Sequence, residues 1–194
     1  MRVPLRFQIT EFDCGTVSLT NAISYLFDRK DIPAELIRAI STYTLDCYDE
    51  HGNLGHGGTS REAVEMLTNW IVNYSKHHDF KIKCEHYRGD KVDIDSIRKV
   101  VENGGVAFVR LWQSVEHYVI ITAIDKENVY IFDSYYLDET EYDKDDMVTM
   151  VFDEPFKYNR IVKIERLIQE TEEDFALGKK DRRDCVLISK VTKW

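Results

Sequence analysis

The apolar positions of the first hundred residues recur at intervals of three and four, which is the spacing of one face of an α-helix. The first such segment predicts a helix from Cys14 to about Phe27, with Asp13 as its N-terminal cap. The buried stripe of this helix is predicted to contain Val17, Ala22, Ile23 and Leu26.

Three further helices follow from the same periodicity. "DIPAELIRAI" places Pro33 in a first helical turn, where its missing N–H is tolerated. "GGTSREAVEMLTNWIVNY" opens with Thr59 and Glu62 at the spacing of a capping box. "DIDSIRKVVENGG" predicts a shorter helix that Asp95 caps and a glycine pair ends.

The second half has a different pattern, rich in β-branched and aromatic residues with turn residues between the runs. "DKEN" is predicted to join two of these strands in a hairpin. The predicted strands are "VAFVRLW", "HYVIITAID", "NVYIFD" and "MVTMVF", and "RIVKIERL" and "DCVLISKV" add strands or a strand and a helix. The sequence therefore predicts one α+β domain, with a helical lobe over residues 1–105 and a mostly antiparallel sheet lobe over residues 106–194.

Charge and composition narrow the class of protein. The 194 residues carry a formal net charge of −9, which argues against a nucleic-acid backbone or an anionic membrane surface as the main partner. No run of apolar residues is long enough for membrane insertion, and the N-terminus lacks the features of a signal peptide. We therefore expect a cytoplasmic protein whose four cysteines are free thiols. The oligomeric state stays open.

Cys14 is the first candidate for chemistry. It stands at the predicted start of a helix, where the unpaired N–H groups and the helix dipole favour a thiolate. Gly15 leaves space for a substrate to approach the sulfur. An inert buried thiol is the alternative for a cysteine considered alone.

A base and an orienting acid are placed further along the chain. His117 begins the apolar strand "HYVIITAI", and Asp133 ends the next strand, "VYIFD". If the two strands form a hairpin, the head of the first lies beside the tail of the second, and the two side chains become neighbours. They could then serve as the base and the group that holds its tautomer, although a structural histidine and a turn aspartate are the alternatives. Gln8 could supply a side-chain donor for an oxyanion.

These residues resemble the active-site segment of the peptidase C39 family, which are papain-like cysteine peptidases. "QITEFDCG" is similar to that family's segment, with Gln8 six residues before Cys14 and a glycine after it. "EHYVIIT" and "IFDSYY" are similar to the segments around the family's histidine and aspartate. The resemblance covers residues 8 to about 135. It implies a papain-like fold and a Cys14–His117–Asp133 triad assisted by Gln8.

The resemblance has departures. The well-known members are peptidase domains of membrane-spanning ABC exporters and cut after a Gly-Gly pair, whereas this chain shows neither a membrane segment nor an ATP-binding part. Ser18 stands where those domains commonly have a second cysteine, and Ser134 where they usually have proline. The resemblance therefore supports the fold and the triad more than it supports Gly-Gly cleavage.

The predicted function is that of a cysteine peptidase or amidase acting through a thioacyl-enzyme on a peptide or a small amide or thioester. An acyltransferase that passes the acyl group to an amine is the alternative, and a non-catalytic peptide-binding module is a third class. The glycine-rich loop of residues 43–60 is either a surface loop or a substrate-binding flap beside the site, in which Gly57 and Gly58 would pair with an extended peptide. Trp112 could line the substrate site or shield Cys14 and His117, and core packing is the alternative.

No metal or other cofactor is expected. Cys47, His51 and His56 lie in the same loop, but their spacing matches no common zinc pattern and lacks a clear fourth ligand. The segment after Asp133, "SYYLDETEYDKDD", is acidic and rich in tyrosine, and a solvated loop is its default interpretation. If it borders the site, a basic peptide or a polyamine would be a suitable substrate.

Overall fold

The computed structural model of the protein describes residues 1–191 and has the predicted α+β architecture, with helices followed by an antiparallel sheet. The last three residues of the predicted sheet lobe, 192–194, lie outside the described part of the chain. The helices are α1 (Cys14–Leu26), α2 (Ala34–Tyr43), α3 (Arg61–His77), α4 (Ile94–Glu102) and α5 (Ile164–Leu167). None of the helices in this described part is long and apolar enough to cross a membrane.

Seven strands form one sheet in the order β1-β7-β2-β3-β4-β6-β5, and neighbouring strands are antiparallel. They are β1 (Ile82–Arg88), β2 (Val106–Gln113), β3 (Val115–Ile124), β4 (Asn128–Phe132), β5 (Val148–Met150), β6 (Arg160–Lys163) and β7 (Asp184–Lys190). The "DKEN" turn joins β3 to β4 as predicted, with the Asp125 N–H donating to the Asn128 carbonyl at 2.9 Å.

One strand lies within the predicted helical lobe. Strand β1 occupies an edge of the sheet and pairs only with β7 along its length. Its apolar members Ile82 and Cys84 alternate with polar residues, and this short, charged pattern is typical of an edge strand. The pairing partner lies about a hundred residues downstream, so the local sequence gave little indication of it.

The sheet separates two hydrophobic cores. On one face, α1, α2 and α3 pack on side chains that include Phe108, Tyr118 and Ile120. On the other face, α4 and the segment after β6 cover side chains that include Val109 and Val119. Each fully buried aliphatic side chain contributes roughly 1.5–3 kcal/mol to folding. Because adjacent residues of a strand point to opposite faces, β3 contributes to both cores.

The start of α1 differs from the prediction. Asp13 occupies the N-cap position, but its side chain makes no hydrogen bond to the helix. Its carboxylate instead accepts hydrogen bonds from the N–H groups of Ile9, at 3.3 Å, and Thr10, at 3.0 Å. The carboxylate therefore folds the preceding loop, and the capping role assigned to Asp13 was wrong.

Two other predicted caps are shifted along the chain. Ser60, not Thr59, caps α3, because its hydroxyl accepts from the Ala63 N–H at 3.0 Å. Asp93, not Asp95, caps α4. In both segments several adjacent residues have side chains that can cap, and the backbone geometry decides between them.

Candidate active site

Cys14 is the first residue of α1 and is only 8% exposed. The first turn of this helix lies close against the loop before α3: a Cβ atom added at Gly15 would stand 2.7 Å from Thr59. Glycine at position 15 therefore permits the close approach of the loop. Cys14, the candidate nucleophile, lies at the helix start beside that loop.

His117 and Asp133 form a buried hydrogen-bonded pair. His117 lies near the start of β3 and Asp133 directly after β4, and these two strands are adjacent in the sheet. Nε2 of His117 lies 2.7 Å from Oδ1 of Asp133, and the two residues are 5% and 0% exposed. Since Nε2 is used by the carboxylate, Nδ1 is the ring nitrogen that can face Cys14.

The electrostatics of the three groups favour a thiolate and an imidazolium. Burial raises the pKa of Cys14, but the hydrogen bond with His117 and the charge of that ring outweigh it, so the pKa lies below the usual thiol value. Burial lowers the pKa of His117, whereas the charge of Asp133 and its hydrogen bond raise it, with a result of about 10. Burial raises the pKa of Asp133, but the charge of His117 brings the net pKa below the usual value.

Several groups that the sequence did not identify hold Asp133 in place. Gln113 donates from Nε2 to Oδ2 of Asp133 at 3.0 Å, and the Tyr135 N–H donates to Oδ1 at 2.9 Å. Asn159 makes two hydrogen bonds of 2.8 Å with the Asp133 backbone. The nearby guanidinium of Arg160 is almost completely buried and helps to lower the Asp133 pKa. The available sequence signal for Asn159 and Arg160 was their position as two polar residues directly before an apolar strand segment.

Gln8 lies beside Ser134, the residue that follows the candidate acid. The Gln8 N–H donates to the Ser134 carbonyl at 2.8 Å, and the Ser134 hydroxyl donates to Oε1 of Gln8 at 2.9 Å. Nε2 of Gln8 donates to the Thr10 carbonyl at 2.8 Å, which leaves its second hydrogen for another acceptor. Ser18 lies 3.3 Å from the Ser134 hydroxyl, so the two positions that depart from the exporter pattern contact each other.

A first cleft of about 220 Å³ opens beside Cys14, and we call it the Cys14 cleft. Gly57 and Gly58 both line it, as the sequence suggested for a substrate-bordering loop. Gly58 has a φ of +76°, and a Cβ at Gly57 would stand 2.7 Å from Cβ of Cys47. The remaining lining residues are Cys47, Thr59, Ser60, Arg61, Glu62, Arg110, Glu116 and Tyr118.

Trp112 lines neither the cleft beside Cys14 nor a second cleft beside His117. It borders a small cavity together with Leu177 and Lys179, and its backbone pairs with the segment of Phe175 and Ala176. Its neighbours Arg110 and Glu116 line the Cys14 cleft as well, but Trp112 itself does not. A substrate-binding role for Trp112 stays a prediction without a contact to support it.

A second cleft of about 220 Å³ opens beside His117, and we call it the His117 cleft. The acidic, tyrosine-rich segment after Asp133 forms one of its walls, so that segment does border the candidate site. The cleft is lined by Glu11, Gln113, Ser114, Val115, His117, Tyr135, Leu137, Glu141, Tyr142 and Asp174.

The carboxylates of the His117 cleft have only uncharged partners among residues 1–191. Glu11 accepts a hydrogen bond from the Tyr135 hydroxyl at 2.8 Å, and Asp174 accepts one from the Tyr142 hydroxyl at 2.9 Å. Within this described range, no basic group lies within 4 Å of the carboxylate oxygens of Glu11, Glu141 or Asp174. The three carboxylates are therefore unpaired with basic side chains: His117 is paired with Asp133, and Arg166, which is paired with Asp145, contacts Asp174 only at its backbone carbonyl, at 3.2 Å.

Cys47, His51 and His56, the residues considered as metal ligands, do not form a metal site with one another or with a fourth residue. His56 stacks on Phe12 with ring centroids 4.6 Å apart, and its Nδ1 lies 3.5 Å from an Asp49 oxygen. Over residues 1–191, no group of three or more histidine, cysteine or acidic residues has the arrangement of a metal site.

Helices that precede an antiparallel sheet, with a cysteine at the start of the first helix, are consistent with the papain-like fold of C39-type peptidases. The chain belongs to the Peptidase_C39 like family, whose model matches residues 1–164. This match extends beyond the segment of resemblance in the sequence and includes β5 and β6. No curated protein matches the chain.

Proposed function

We propose that the protein is a cysteine peptidase or amidase in which Cys14 is the nucleophile, His117 the general base and acid, and Asp133 the group that orients His117. One observation supports this most directly: a buried His117–Asp133 hydrogen bond of 2.7 Å lies beside a thiol whose pKa is lowered by that same imidazole. Membership in a peptidase-like family gives independent support.

The proposed reaction begins with the transfer of the Cys14 proton to Nδ1 of His117. The thiolate attacks the carbonyl carbon of a peptide or amide bond, and the developing oxyanion accepts hydrogen bonds from the Cys14 backbone N–H and Nε2 of Gln8. The imidazolium then protonates the leaving nitrogen as the C–N bond breaks. Water attacks the thioacyl carbon while His117 takes a proton from it, and the C–S bond then breaks to release the acid product and the Cys14 thiolate.

The two clefts suggest how a substrate lies on the enzyme. The acyl part becomes bonded to the Cys14 sulfur, so its residues belong in the Cys14 cleft, where Gly57 and Gly58 expose backbone groups. The leaving amine receives its proton from His117 and belongs in the His117 cleft. Because the carboxylates of that cleft are not paired with basic side chains, we expect a preference for a positively charged group on the leaving side.

The same observation favours a second candidate function. If the His117 cleft binds an amine after the first product leaves, the neutral His117 can take a proton from its ammonium form. The free amine then attacks the thioacyl carbon in place of water, the C–S bond breaks to release the Cys14 thiolate, and the protein is then an acyltransferase. Analysis of the products separates the two functions: a peptidase gives a free carboxylate without an added amine, whereas an acyltransferase needs the acceptor for turnover.

The proposed nucleophile is tested by alkylation with iodoacetamide at pH 6. We expect Cys14 to react at least tenfold faster than Cys47, Cys84 or Cys185, because only its pKa is lowered. Burial raises the pKa of Cys84 to about 12 and makes it an internal reference for an inert thiol. The readout is mass spectrometry of peptides from the modified protein at several times.

The matched variants are Cys14→Ala and Cys84→Ala. We expect Cys14→Ala to abolish the fast reaction and all turnover, and Cys84→Ala to retain both, because Cys84 lies in β1 and lines neither cleft. Fast turnover by a folded Cys14→Ala protein would refute the proposed mechanism. Equal alkylation rates at the four cysteines would favour a peptide-binding module.

A further inference from the structure

The backbone of Tyr118 connects the first turn of α1 to β3. Tyr118 follows His117 directly and is only 2% exposed. A hydrogen bond from its backbone N–H helps to lower the pKa of Cys14. Its carbonyl accepts a hydrogen bond from the Ser18 hydroxyl at 2.8 Å, and Tyr118 and Cys14 line the same cleft. Because Cys14 and Ser18 are both in the first turns of α1, Tyr118 is a residue of β3 that contacts the helix at the end where the candidate nucleophile lies.

The side chain of Tyr118 is held by a carboxylate of β7. Its hydroxyl donates to Oδ2 of Asp184 at 2.9 Å, and its ring stacks on Phe108 with centroids 4.6 Å apart. Asp184 has no exposed surface, and its Oδ1 lies 2.8 Å from Nε2 of His86 and 3.4 Å from Nε of Arg88. A buried carboxylate with this set of partners can adopt few alternative positions.

Two buried carboxylates thus hold consecutive residues of β3 from opposite sides of the sheet. Adjacent strand residues point to opposite faces, and Asp133 holds the side chain of His117 while Asp184 holds that of Tyr118. We propose that Asp184 is a positioning residue of the active site, which acts through Tyr118 to hold a backbone N–H against the Cys14 sulfur. This inference rests on the proposed function of Cys14.

The inference gives the C-terminal segment a role in the site. Asp184 is the first residue of β7, where it pairs with Arg88 of β1 and with Arg110 of β2. It lies beyond residue 164, where the match to the family ends. Strand β7, which lies between β1 and β2 in the sheet, would therefore also support the nucleophile.

The experiment measures the rate of iodoacetamide alkylation of Cys14 from pH 4 to pH 10 in the wild type and in Tyr118→Phe. The variant keeps the ring and its stacking but removes the hydroxyl. We expect its midpoint to move upward by about one pH unit, which makes alkylation about tenfold slower below the midpoint. The physical reason is that a backbone that is less firmly held donates a weaker hydrogen bond to the thiolate.

Tyr25→Phe is the matched control. The Tyr25 hydroxyl also donates a hydrogen bond to β3, to the Thr122 carbonyl at 3.1 Å, but this contact is far along the strand from Cys14. The Tyr25→Phe variant loses a comparable hydrogen bond to the same strand, so the midpoint of its Cys14 alkylation should equal that of the wild type. An unchanged midpoint in a folded Tyr118→Phe protein, or an equal shift in Tyr25→Phe, would overturn the inference.

Asp184→Asn separates positioning from charge. If Asp184 acted only through its negative charge, removing that charge would ease thiolate formation and lower the midpoint. If it acts by holding Tyr118, the midpoint rises as in Tyr118→Phe. Failure of the proposed function has a different signature, because Cys14 of the wild type would then react no faster than Cys47.

Discussion

The two clefts beside the candidate catalytic residues have the same volume, but their carboxylates have different partners. In the Cys14 cleft, the carboxylate of Glu116 contacts Arg110 and Arg182 at 2.8 Å each, and Glu62 lies 3.5 Å from Arg88. In the His117 cleft, the carboxylates accept hydrogen bonds only from neutral groups among residues 1–191. The carboxylates are therefore paired with basic side chains in the Cys14 cleft but not in the His117 cleft.

This difference teaches that the volume of a cleft does not decide what it binds. An extended peptide backbone is neutral, and a cleft with paired charges and exposed backbone groups suits it. An amine or a basic side chain is stabilised where carboxylates have no cation nearby. We infer that the substrate is neutral on the side that lies in the Cys14 cleft and positively charged on the side that lies in the His117 cleft.

The largest expected effect comes from Asp133→Asn, which disrupts the pair between the clefts. We expect kcat to fall on the order of 10³-fold, because the amide no longer fixes the tautomer of His117 or stabilises its cation. Activity needs the thiolate and the imidazolium together, so it is lost at high pH as His117 releases its proton.

The pH dependence of kcat also shows in which direction Asp133→Asn changes the His117 pKa. In the wild type the alkaline limit is expected near the His117 pKa of about 10. Since the charge of Asp133 raises that pKa, the limit should move to lower pH in Asp133→Asn. An alkaline limit that stays in place would show that a group other than His117 sets it.

A smaller effect is expected from Glu141→Lys, which reverses one charge in the His117 cleft. The variant should cleave peptides with lysine or arginine on the leaving side several-fold more slowly and those with acidic residues faster. Sequencing the new N-termini from a peptide mixture measures this preference. Glu139→Lys is the matched control, because Glu139 lies in the same segment but does not line the cleft. An equal change in both variants would attribute the preference to net charge.

The smallest expected effect concerns the Cys14 cleft. Gly58→Ala places a Cβ at a φ of +76°, which we expect to lower the free energy of unfolding by about 1–2 kcal/mol. Thermal denaturation measures this loss, and KM for a peptide substrate should rise as the loop shifts. Gly104→Ala is the control, with a φ of +80° and nothing within 4 Å of the added Cβ. An equal rise in KM in both variants would argue against a substrate-bordering role for the loop.

The order of elements was largely readable from the sequence because it depends on local periodicity. The helical stripes and the later β-rich runs predicted an α+β fold, and the structure and the family match confirm it. Local reasoning failed where several neighbouring residues could perform the same task. The cap of α3 moved from Thr59 to Ser60 because both have a hydroxyl, and only the backbone path selects one.

The candidate site was predictable as far as its residues lie on adjacent elements. The hairpin of β3 and β4 follows from a short turn, so the neighbourhood of His117 and Asp133 could be anticipated. The groups that hold Asp133 could not, because Gln113 and Asn159 reach it through strand pairing and loop packing.

By itself, the sequence determined the succession of helices and strands and the residue types that could carry cysteine chemistry, since periodicity and turn residues act over a few positions. The tertiary structure decided which charges were compensated and which were not. The chain carries carboxylates throughout, and only folding places Glu116 beside two arginines while leaving Glu11 and Asp174 with tyrosine hydroxyls. The physical reason is that electrostatic interaction depends on distance in space, which sequence separation does not specify.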